Sequence, residues 1–364
     1  MGWHILWRKI MTKKIIFFVV FASSFADVTA NEPLQPYLDS FETTEIAEPE
    51  PVLQKIDMPY TENPLIDHFR QEYLTDFGKK KLVNILQKAI PYRAHIQATL
   101  QADGVPLCIE FLPVIESEFT ILAVSKSGAT GIWQFMENSI ASLLDKDEWI
   151  DERFDPWLST HAAAYKLAYN YSVLKDWELA LAAYNMGLNG LKSVMKKAGS
   201  DDFWYLAENG YLKEETKYYV PKFIAIADLI TNADYYGIDI APFDKNNDLN
   251  FEEITIANQI NVKILSDALE IPYQTMKQLN PALKTEYTPP YSYTLRVPIG
   301  YTEKTFAEIK NQQVTKPYTV KKGDTLWGIA MANNITVQEI CTINNIDQND
   351  ILGIGKVLFL PILK

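Results

Sequence analysis

One stretch of this 364-residue chain combines an acidic position in apolar surroundings with a glycine-rich turn, PVIESEFTILAVSKSGATGIWQFM at residues 113–136. Glu116 follows a run that is almost entirely apolar. A carboxyl group in such surroundings is desolvated, which raises its pKa and lets it hold a proton near neutral pH. A general acid needs that property in order to protonate a glycosidic oxygen. Glu116 is therefore the candidate catalytic residue.

The turn after Glu116 adds groups that suit a sugar. Gly128 and Gly131 permit a tight turn, and Trp133 with Gln134 then offers an aromatic face and an amide, which suit a sugar ring and an N-acetyl group. The opposing interpretation is that Glu116 is a solvated helix end, because most acidic side chains lie at the surface. Glu118 is the rival carboxylate, but two positions along a helix it points away from the face that carries Glu116.

The surrounding residues predict a helical region. Apolar residues recur at helical spacing over 65–77 and 82–90, and Pro91 then interrupts the pattern. The segment 107–119 is apolar nearly all round, so we expect it to be a buried helix. Ser159 and Thr160 suit the start of another helix. Further helices are predicted over 95–101, 139–144, 159–174, 177–186 and 216–230.

The pattern of residue types changes after residue 250, where short runs of β-branched residues flank short predicted helices. The sequence there repeats itself, because 254–256 align with 318–320, Asn280 with Asn344, and 295–298 with 358–361. Each copy predicts the order strand–helix–helix–strand, with residues 301–316 as a linker between them. The expected class is therefore α+β and multidomain.

Composition narrows the classes of function. The length suits two or three domains, and 48% hydrophobic residues provide a sizeable core. A net charge of −12 argues against nucleic acid as the main ligand. Cys108 and Cys341 lie far apart and read as buried apolar residues, and the four histidines show no metal-ligand spacing. We expect no metal and no cofactor.

The N-terminus predicts an export signal over residues 1–30. Lys13 and Lys14 precede the apolar run 15–21, and small residues precede a cleavage site near Ala30. Met11 is an alternative start, and an uncleaved membrane anchor is the alternative interpretation. Residues 31–62 are rich in Glu, Pro and Thr and are expected to form a poorly ordered lead-in.

Four ordered motifs resemble the soluble-lytic-transglycosylase (goose-lysozyme-like) family. They are ES at 116–117 with Ser125 and GATGIWQ at 128–134, DERFDP at 151–156, AYNMG at 183–187 and ETKYYVPK at 215–222. The resemblance implies a lysozyme-like, all-α catalytic domain over 63–240, with Glu116 as the catalytic residue. It implies substrate-binding roles for Ser117, Ser125, Gly131, Gln134, Tyr184, Asn185, Glu215 and Tyr219. Helix capping by Asn185 and structural polar contacts by Glu215 and Tyr219 stay open as alternatives, and Asp151, Arg153 and Asp155 read as a structural charge network.

The C-terminal copy, residues 316–364, resembles the LysM module through YTVKKGDTLWGIA at 318–330. LysM modules fold as βααβ and bind chains that contain N-acetylglucosamine in a shallow groove. The resemblance implies two groove walls, formed by Gly323, Asp324, Thr325 and Leu326 and by Asp350, Ile351 and Leu352. Residues 250–300 look like a degenerate copy, in which Gln259, Ile260 and Asn261 replace the Gly-Asp-Thr signature. Glycan binding by this copy stays open, as does the view that both copies are spacers.

The resemblance implies a lytic transglycosylase that acts on the glycan strands of peptidoglycan in the periplasm or cell envelope. Most glycoside hydrolases need two carboxylates, whereas a transglycosylase can work with one. A hydrolytic goose-type muramidase, with Asp155 or Glu215 as the second carboxylate, is the close alternative. A non-catalytic wall-binding protein is the alternative from another class. Relatives often carry a lipid on a cysteine after the signal, and no cysteine follows the signal here, which excludes lipid attachment at this site.

Overall fold

The computed structural model describes residues 52–139, 143–240, 249–257, 259–311, 315–344 and 346–361. The predicted export signal and most of the lead-in lie outside the described residues. In the described part, no helix combines the length and the apolar character that a membrane crossing requires. Helices dominate, with two small antiparallel sheets near the C-terminus, so the predicted α+β class is confirmed.

Residues 52–240 form the helical domain. Its helices are α1 (Pro64–Leu74), α2 (Asp76–Ala89), α3 (Arg93–Ala102), α4 (Leu112–Glu116), α5 (Pro156–Leu174), α6 (Trp177–Met186), α7 (Leu188–Ala198), α8 (Phe203–Glu208), α9 (Glu214–Thr231) and α10 (Ala233–Tyr236). Short 3-10 turns occupy Ile90–Tyr92, Leu107–Phe111, Glu137–Ser139 and Glu152–Phe154. The core lies around α9, which is buried at almost every position from Tyr219 to Ile230.

The lead-in was expected to be poorly ordered to residue 62, and its last part is instead folded onto this core. Ile56 and Met58 are buried. The Asp57 carboxylate accepts hydrogen bonds from the backbone N–H groups of Leu107 and Cys108. Burial of two apolar side chains, together with a bond to otherwise unpaired helix-end donors, explains why this polar segment is held in place.

Two predicted helices are divided. The run over 65–77 breaks at Thr75, whose side chain caps α2 by accepting from the Gly78 N–H at 3.0 Å, and Phe77 is 79% exposed. The run over 107–119 is a 3-10 turn followed by the short α4. Pro113 has no N–H with which to continue a helix from the preceding turn, and apolar periodicity alone did not reveal this break.

The predicted start of α5 at Ser159 is also wrong. The helix begins at Pro156, and Asp155 caps it by accepting from two backbone N–H groups, each at 3.0 Å. Ser159 and Thr160 lie inside the helix and donate back to the carbonyls of Asp155 and Pro156. The predicted helix over 139–144 lies partly outside the described residues, and α7 and α8 were not predicted.

Residues 249–311 form the first module and residues 315–361 the second. The first contains β1 (Phe251–Ile256), α11 (Val262–Ala268), α12 (Tyr273–Leu279), β2 (Tyr293–Pro298) and α13 (Thr302–Asn311); the second contains β3 (Thr315–Thr319), α14 (Leu326–Ala332), α15 (Val337–Asn344) and β4 (Val357–Pro361). In each, the two strands pair antiparallel, with Phe251 opposite Pro298 and Thr315 opposite Pro361. The predicted strand–helix–helix–strand order is confirmed twice, but the expected linker contains α13, which packs on β1 and β2.

Candidate active site

The chain reverses sharply just after Glu116. Helix α4 ends at Glu116, and the N–H of Ser117 closes the last turn on the Pro113 carbonyl. Glu118 and Phe119 both have φ near 51°, which is uncommon for residues other than glycine. Phe119 is buried, while Glu118 is exposed and pairs with Lys81 at 2.7 Å. The two carboxylates therefore point to different environments, as predicted.

A small hairpin packs against the end of α4. Thr130 pairs with both Val124 and Phe135, and the Ser117 hydroxyl donates to the Ile132 carbonyl at 2.9 Å. Gly131 has φ +79°, and a Cβ added there would lie 1.8 Å from the Arg153 carbonyl oxygen. Any side chain at this position would clash with the Arg153 backbone, so the position requires glycine. Ser117 thus bonds the end of α4 to the hairpin, and Gly131 lets the hairpin lie against the Arg153 backbone.

The aromatic face of Trp133 is not open to a sugar, so that expectation was wrong. The side chain is fully buried, and its indole N–H donates to the Thr160 hydroxyl at 2.9 Å. The Tyr184 hydroxyl donates to the Trp133 carbonyl at 2.9 Å, and Tyr184 itself is only 6% exposed. These contacts attach the hairpin to α5 and α6. Gln134 stays partly exposed, with its amide donating to the Gly131 carbonyl at 2.8 Å.

Glu116 is half-buried and bonded to one tyrosine. The Tyr219 hydroxyl, on α9, donates to a Glu116 carboxyl oxygen. Burial raises the pKa of Glu116 to about 7, although the Tyr219 hydrogen bond and the positive charge of Lys166 oppose the shift and the charge of Glu215 adds to it. Because this pKa lies near neutrality, both the acid and the carboxylate are accessible at neutral pH, which suits a group that donates a proton and later accepts one.

The Tyr219 contact yields a prediction. A hydrogen bond to the carboxylate favours its charged form, so Tyr219→Phe is expected to raise the pKa of Glu116 above 7. Titration of a carbon-labelled glutamate signal by NMR measures this directly. Tyr218→Phe is the matched control, since Tyr218 packs on Phe69. A Glu116 pKa that is unchanged or lower in Tyr219→Phe would contradict the role assigned to this bond.

Further polar groups converge near Glu116 from the α6–α9 side. The Thr216 hydroxyl donates to the Asn185 side-chain carbonyl at 2.7 Å, and the Asn185 amide lies 3.5 Å from a Glu215 oxygen. Glu215 is exposed. On the hairpin side, the Ser125 hydroxyl accepts from the Ala129 N–H at 2.9 Å and stays partly exposed. Asn185, Glu215 and Ser125 thus keep polar atoms near solvent.

Lys166 was missed by the sequence reasoning. It lies on α5, half-buried, with its ammonium 5.0 Å from the centre of the Tyr184 ring and 5.6 Å from that of Phe135. Burial lowers the pKa of Lys166, and the charge of Glu116 opposes this. The sequence feature that could have revealed it is that Lys166 is the only Asp, Glu, Lys or Arg in α5. None of the recognised motifs includes it.

The structural charge network was anticipated and supports the hairpin. Arg153 pairs with Asp151 at 2.6 Å and donates to the carbonyls of Gly128 and Phe135. Asp155 is 3% exposed, caps α5 and pairs with Arg296 of the first module. Its oxygens are therefore committed to structural partners, which weakens the view of Asp155 as a second catalytic carboxylate.

Arg296 joins the first module to the helical domain. Besides Asp155, it donates to Glu253 at 3.0 Å, and its guanidinium lies 4.6 Å from the centre of the Trp157 ring and 5.0 Å from that of Phe251. Backbone bonds add to this junction, including the Asp151 N–H to the Ala282 carbonyl at 2.9 Å. The module is attached through buried charge, aromatic rings and backbone together.

The two loops that would form a groove in the first module are bonded directly to each other. The Ile260 N–H donates to the Thr288 hydroxyl at 3.0 Å, and the Thr288 N–H donates to the Ile260 carbonyl at 3.1 Å. The Val262 N–H donates to the Glu286 carbonyl at 2.8 Å. Gln259 is 1% exposed. Bonded walls leave little room for a sugar between them.

The corresponding loops of the second module are arranged differently. Asp324 accepts from the Lys321 N–H at 2.7 Å and from the Tyr318 hydroxyl at 2.9 Å, which hold the turn at Gly323 (φ +92°). Thr325 caps α14, and Leu326 points into the core. On the facing loop, Asp350 bonds back to Asp347, Leu352 is partly buried and Ile351 is 95% exposed. An exposed apolar side chain on this loop fits a ligand-facing wall.

Comparison with known families agrees with this architecture. Residues 94–207 match the family described as Transglycosylase SLT domain, and residues 318–361 match the LysM domain. Residues 250–309 match the family described as Lytic transglycosylase MltD, LysM-like domain. The chain is therefore a multidomain protein that joins a transglycosylase SLT domain to two LysM-type domains, and the resemblance seen in the sequence is confirmed.

The chain is similar to membrane-bound lytic murein transglycosylase D of Escherichia coli strain K12 and to the protein of that name from a second E. coli strain. Each is 28% identical over 308 residues, covering 79% of this chain and 66% of the relative. The match thus spans just under two thirds of these relatives. The X-ray structure of an inactive mutant of lytic transglycosylase Slt from Pseudomonas aeruginosa is 23% identical, covers 42% of this chain and 25% of that chain, and has a TM-score of 0.34.

Proposed function

We propose that this protein is a peptidoglycan lytic transglycosylase that cleaves the β-1,4 bond between N-acetylmuramic acid and N-acetylglucosamine. The observation that carries the proposal is the state of Glu116, a half-buried carboxyl group bonded to Tyr219 with a pKa of about 7. Such a group can donate and then recover one proton at neutral pH. The similarity to murein transglycosylase D supports the same reaction.

In this mechanism Glu116 first gives its proton to the glycosidic oxygen as the bond to the anomeric carbon breaks. The substrate's own N-acetyl group stabilises the positive carbon. The Glu116 carboxylate, stabilised by the Tyr219 hydroxyl, then removes the proton from the sugar's C6 hydroxyl. That oxygen attacks C1 and closes a 1,6-anhydro ring. The proton count balances, and no water is consumed.

The other predicted site residues divide into two roles. Ser125, Gln134, Asn185 and Glu215 keep partly or fully exposed polar side chains, and we assign them to substrate contact. Ser117 and Tyr184 donate to backbone carbonyls of the hairpin. Gly131 lies within the hairpin, where its N–H donates to the Ala123 carbonyl at 2.9 Å. We assign these three residues to positioning Glu116. Tyr219 acts on the carboxyl group itself.

The hydrolytic goose-type muramidase is the second candidate. It needs a second carboxylate or a placed water. The commitment of Asp155 to Arg296 and to the α5 cap leaves Glu215 as the better choice, since its charge reaches Glu116. The exposure of Glu215 to solvent and its long contact with Asn185 make a fixed water beside it less favourable.

Digestion of purified sacculi tests whether the protein cleaves the wall or only binds it. We expect turbidity to fall and soluble muropeptides to appear when sacculi are incubated with the protein. Sacculi that bind the folded protein but release no muropeptides would favour a wall-binding scaffold instead.

We assign glycan binding to the second module and a bracing role to the first. The exposed Ile351 and the ordered turn at Asp324 support a groove in the second module. The bonded loops at Ile260 and Thr288 and the Arg296 junction support a structural role for the first, which would hold the start of α5.

Single substitutions separate the two modules. Ile351→Ala is expected to weaken binding to sacculi by about tenfold, the equivalent of roughly 1.4 kcal/mol, and to leave cleavage of short soluble glycans unchanged. Glu286→Ala, at the corresponding loop of the first module, is the matched control and should bind normally. Pull-down of the variants by sacculi measures this; equal losses in both variants would remove the distinction.

We propose that the protein acts outside the cytoplasm, in the periplasm or cell envelope. The predicted signal over 1–30 and a wall substrate support this, and the relatives are named membrane-bound. The residue directly after the predicted cleavage site is Asn31 and not a cysteine, so a lipid at that site is not part of the proposal.

A further inference from the structure

Lys166 places a positive charge beside the candidate active site. Its ammonium lies over the rings of Tyr184 and Phe135, at 5.0 and 5.6 Å from their centres. Among the ion pairs of the described residues, none includes Lys166. Aromatic faces attract a cation but do not neutralise it.

A half-buried ammonium with no anion in contact costs free energy. The charge of the Glu116 carboxylate acts on Lys166. Glu116 must be protonated, and therefore neutral, when it begins the reaction as a general acid. When Glu116 is neutral, its negative charge no longer compensates the positive charge of Lys166. An anion supplied by the bound substrate would then offset the free-energy cost of burying the ammonium.

The substrate class named above offers such an anion. N-acetylglucosamine is neutral, whereas N-acetylmuramic acid carries a lactyl carboxyl group next to the N-acetyl position. That group is an amide in strands that bear peptide stems, and a free carboxylate in strands from which the stems have been removed. The two forms differ by one negative charge close to the bond that is cleaved.

Resting on the proposed function, we infer that Lys166 forms an anionic subsite for the free lactyl carboxylate of muramic acid. The enzyme then favours glycan strands that lack peptide stems. Lysine suits this role because its ammonium is carried on a flexible alkyl chain and can move from the aromatic rings towards a bound carboxylate. A charge-assisted hydrogen bond forms there only when the stem is absent.

Two glycan preparations of the same length, one with stems and one after amidase treatment, test the inference. Lys166→Met keeps the length of the side chain and removes the charge. We expect it to lower the ratio of kcat/KM on stem-free strands to kcat/KM on stem-bearing strands by on the order of tenfold. The effect of the lost charge on the pKa of Glu116 is common to both substrates and cancels in this ratio. Lys166→Arg should retain the preference. Lys277→Met is the matched control, because Lys277 lies over an aromatic ring, at 5.7 Å from Tyr273, in the first module.

Equal losses of kcat/KM on both substrates would overturn the inference. A shifted pH profile with an unchanged preference for stem-free strands would also overturn it, because Lys166 would then act through Glu116. A wild type that cleaves neither substrate would refute the proposed function but not this subsite. Calorimetry with Glu116→Gln then decides. Stem-free strands should bind more tightly than stem-bearing ones, and adding Lys166→Met should abolish the difference. Persistence of the difference in the double variant would overturn the subsite.

Discussion

Glu116→Gln is expected to lower kcat for glycan cleavage by about three orders of magnitude, within the range that general acid–base catalysis supplies. Glutamine keeps the shape of the side chain but has no acidic proton to give to the glycosidic oxygen. It also cannot remove the C6 proton in the second step. Both halves of the reaction depend on this carboxyl group, so the loss should appear in kcat, with substrate binding retained.

Glu118→Gln is the matched control for this experiment. Glu118 is two positions away, exposed, and paired with Lys81, so its variant should cleave at a nearly normal rate. Glu116→Gln should also fold normally, because a neutral amide avoids the desolvation that raises the pKa of Glu116. A folded Glu116→Gln variant that still cleaves glycan at the wild-type rate would refute the catalytic assignment.

Arg296→Met is expected to destabilise the protein by about 3–5 kcal/mol, the usual effect of removing one partner of a buried ion pair. Arg296 and Asp155 are 7% and 3% exposed, so the substitution leaves a buried carboxylate without its cation. It also removes the guanidinium from its contacts with the Trp157 and Phe251 rings. Chemical denaturation of the full chain measures the change in the free energy of unfolding.

A double-mutant cycle shows how much of that loss comes from the unpaired charge. Asp155→Asn retains a side chain that can cap α5 and carries no charge. Adding it to Arg296→Met should therefore recover part of the lost stability. If Arg296→Met alone changes the stability by less than 1 kcal/mol, the brace between the first module and the helical domain is not significant.

The sequence was most informative where one property acts locally. The apolar run before Glu116 predicted the desolvated carboxyl group, and the repeat predicted two βααβ units. The ordered motifs also indicated Tyr219, although its direct bond to Glu116 required the packing of α9 against α4. In each case the signal lay in composition, periodicity or motif order within a short stretch.

Other features depend on how distant segments pack. Trp133 was expected to face a sugar and instead fills the core, because an aromatic residue after a turn can point either way. Lys166 belongs to no motif, and only the fold brings it over Tyr184. Arg296 and Asp155 are 141 residues apart, and nothing local in either stretch marks them as partners.

The chemical form of the cleavage products distinguishes a lytic transglycosylase from a hydrolase. Purified glycan strands would be digested in heavy-oxygen water and the fragments weighed by mass spectrometry. We expect fragments that end in 1,6-anhydro-muramic acid, one water lighter than hydrolysis products and free of heavy oxygen, because the C6 hydroxyl supplies the attacking atom. Reducing ends that carry heavy oxygen would contradict it and would assign the chain to the hydrolytic muramidases.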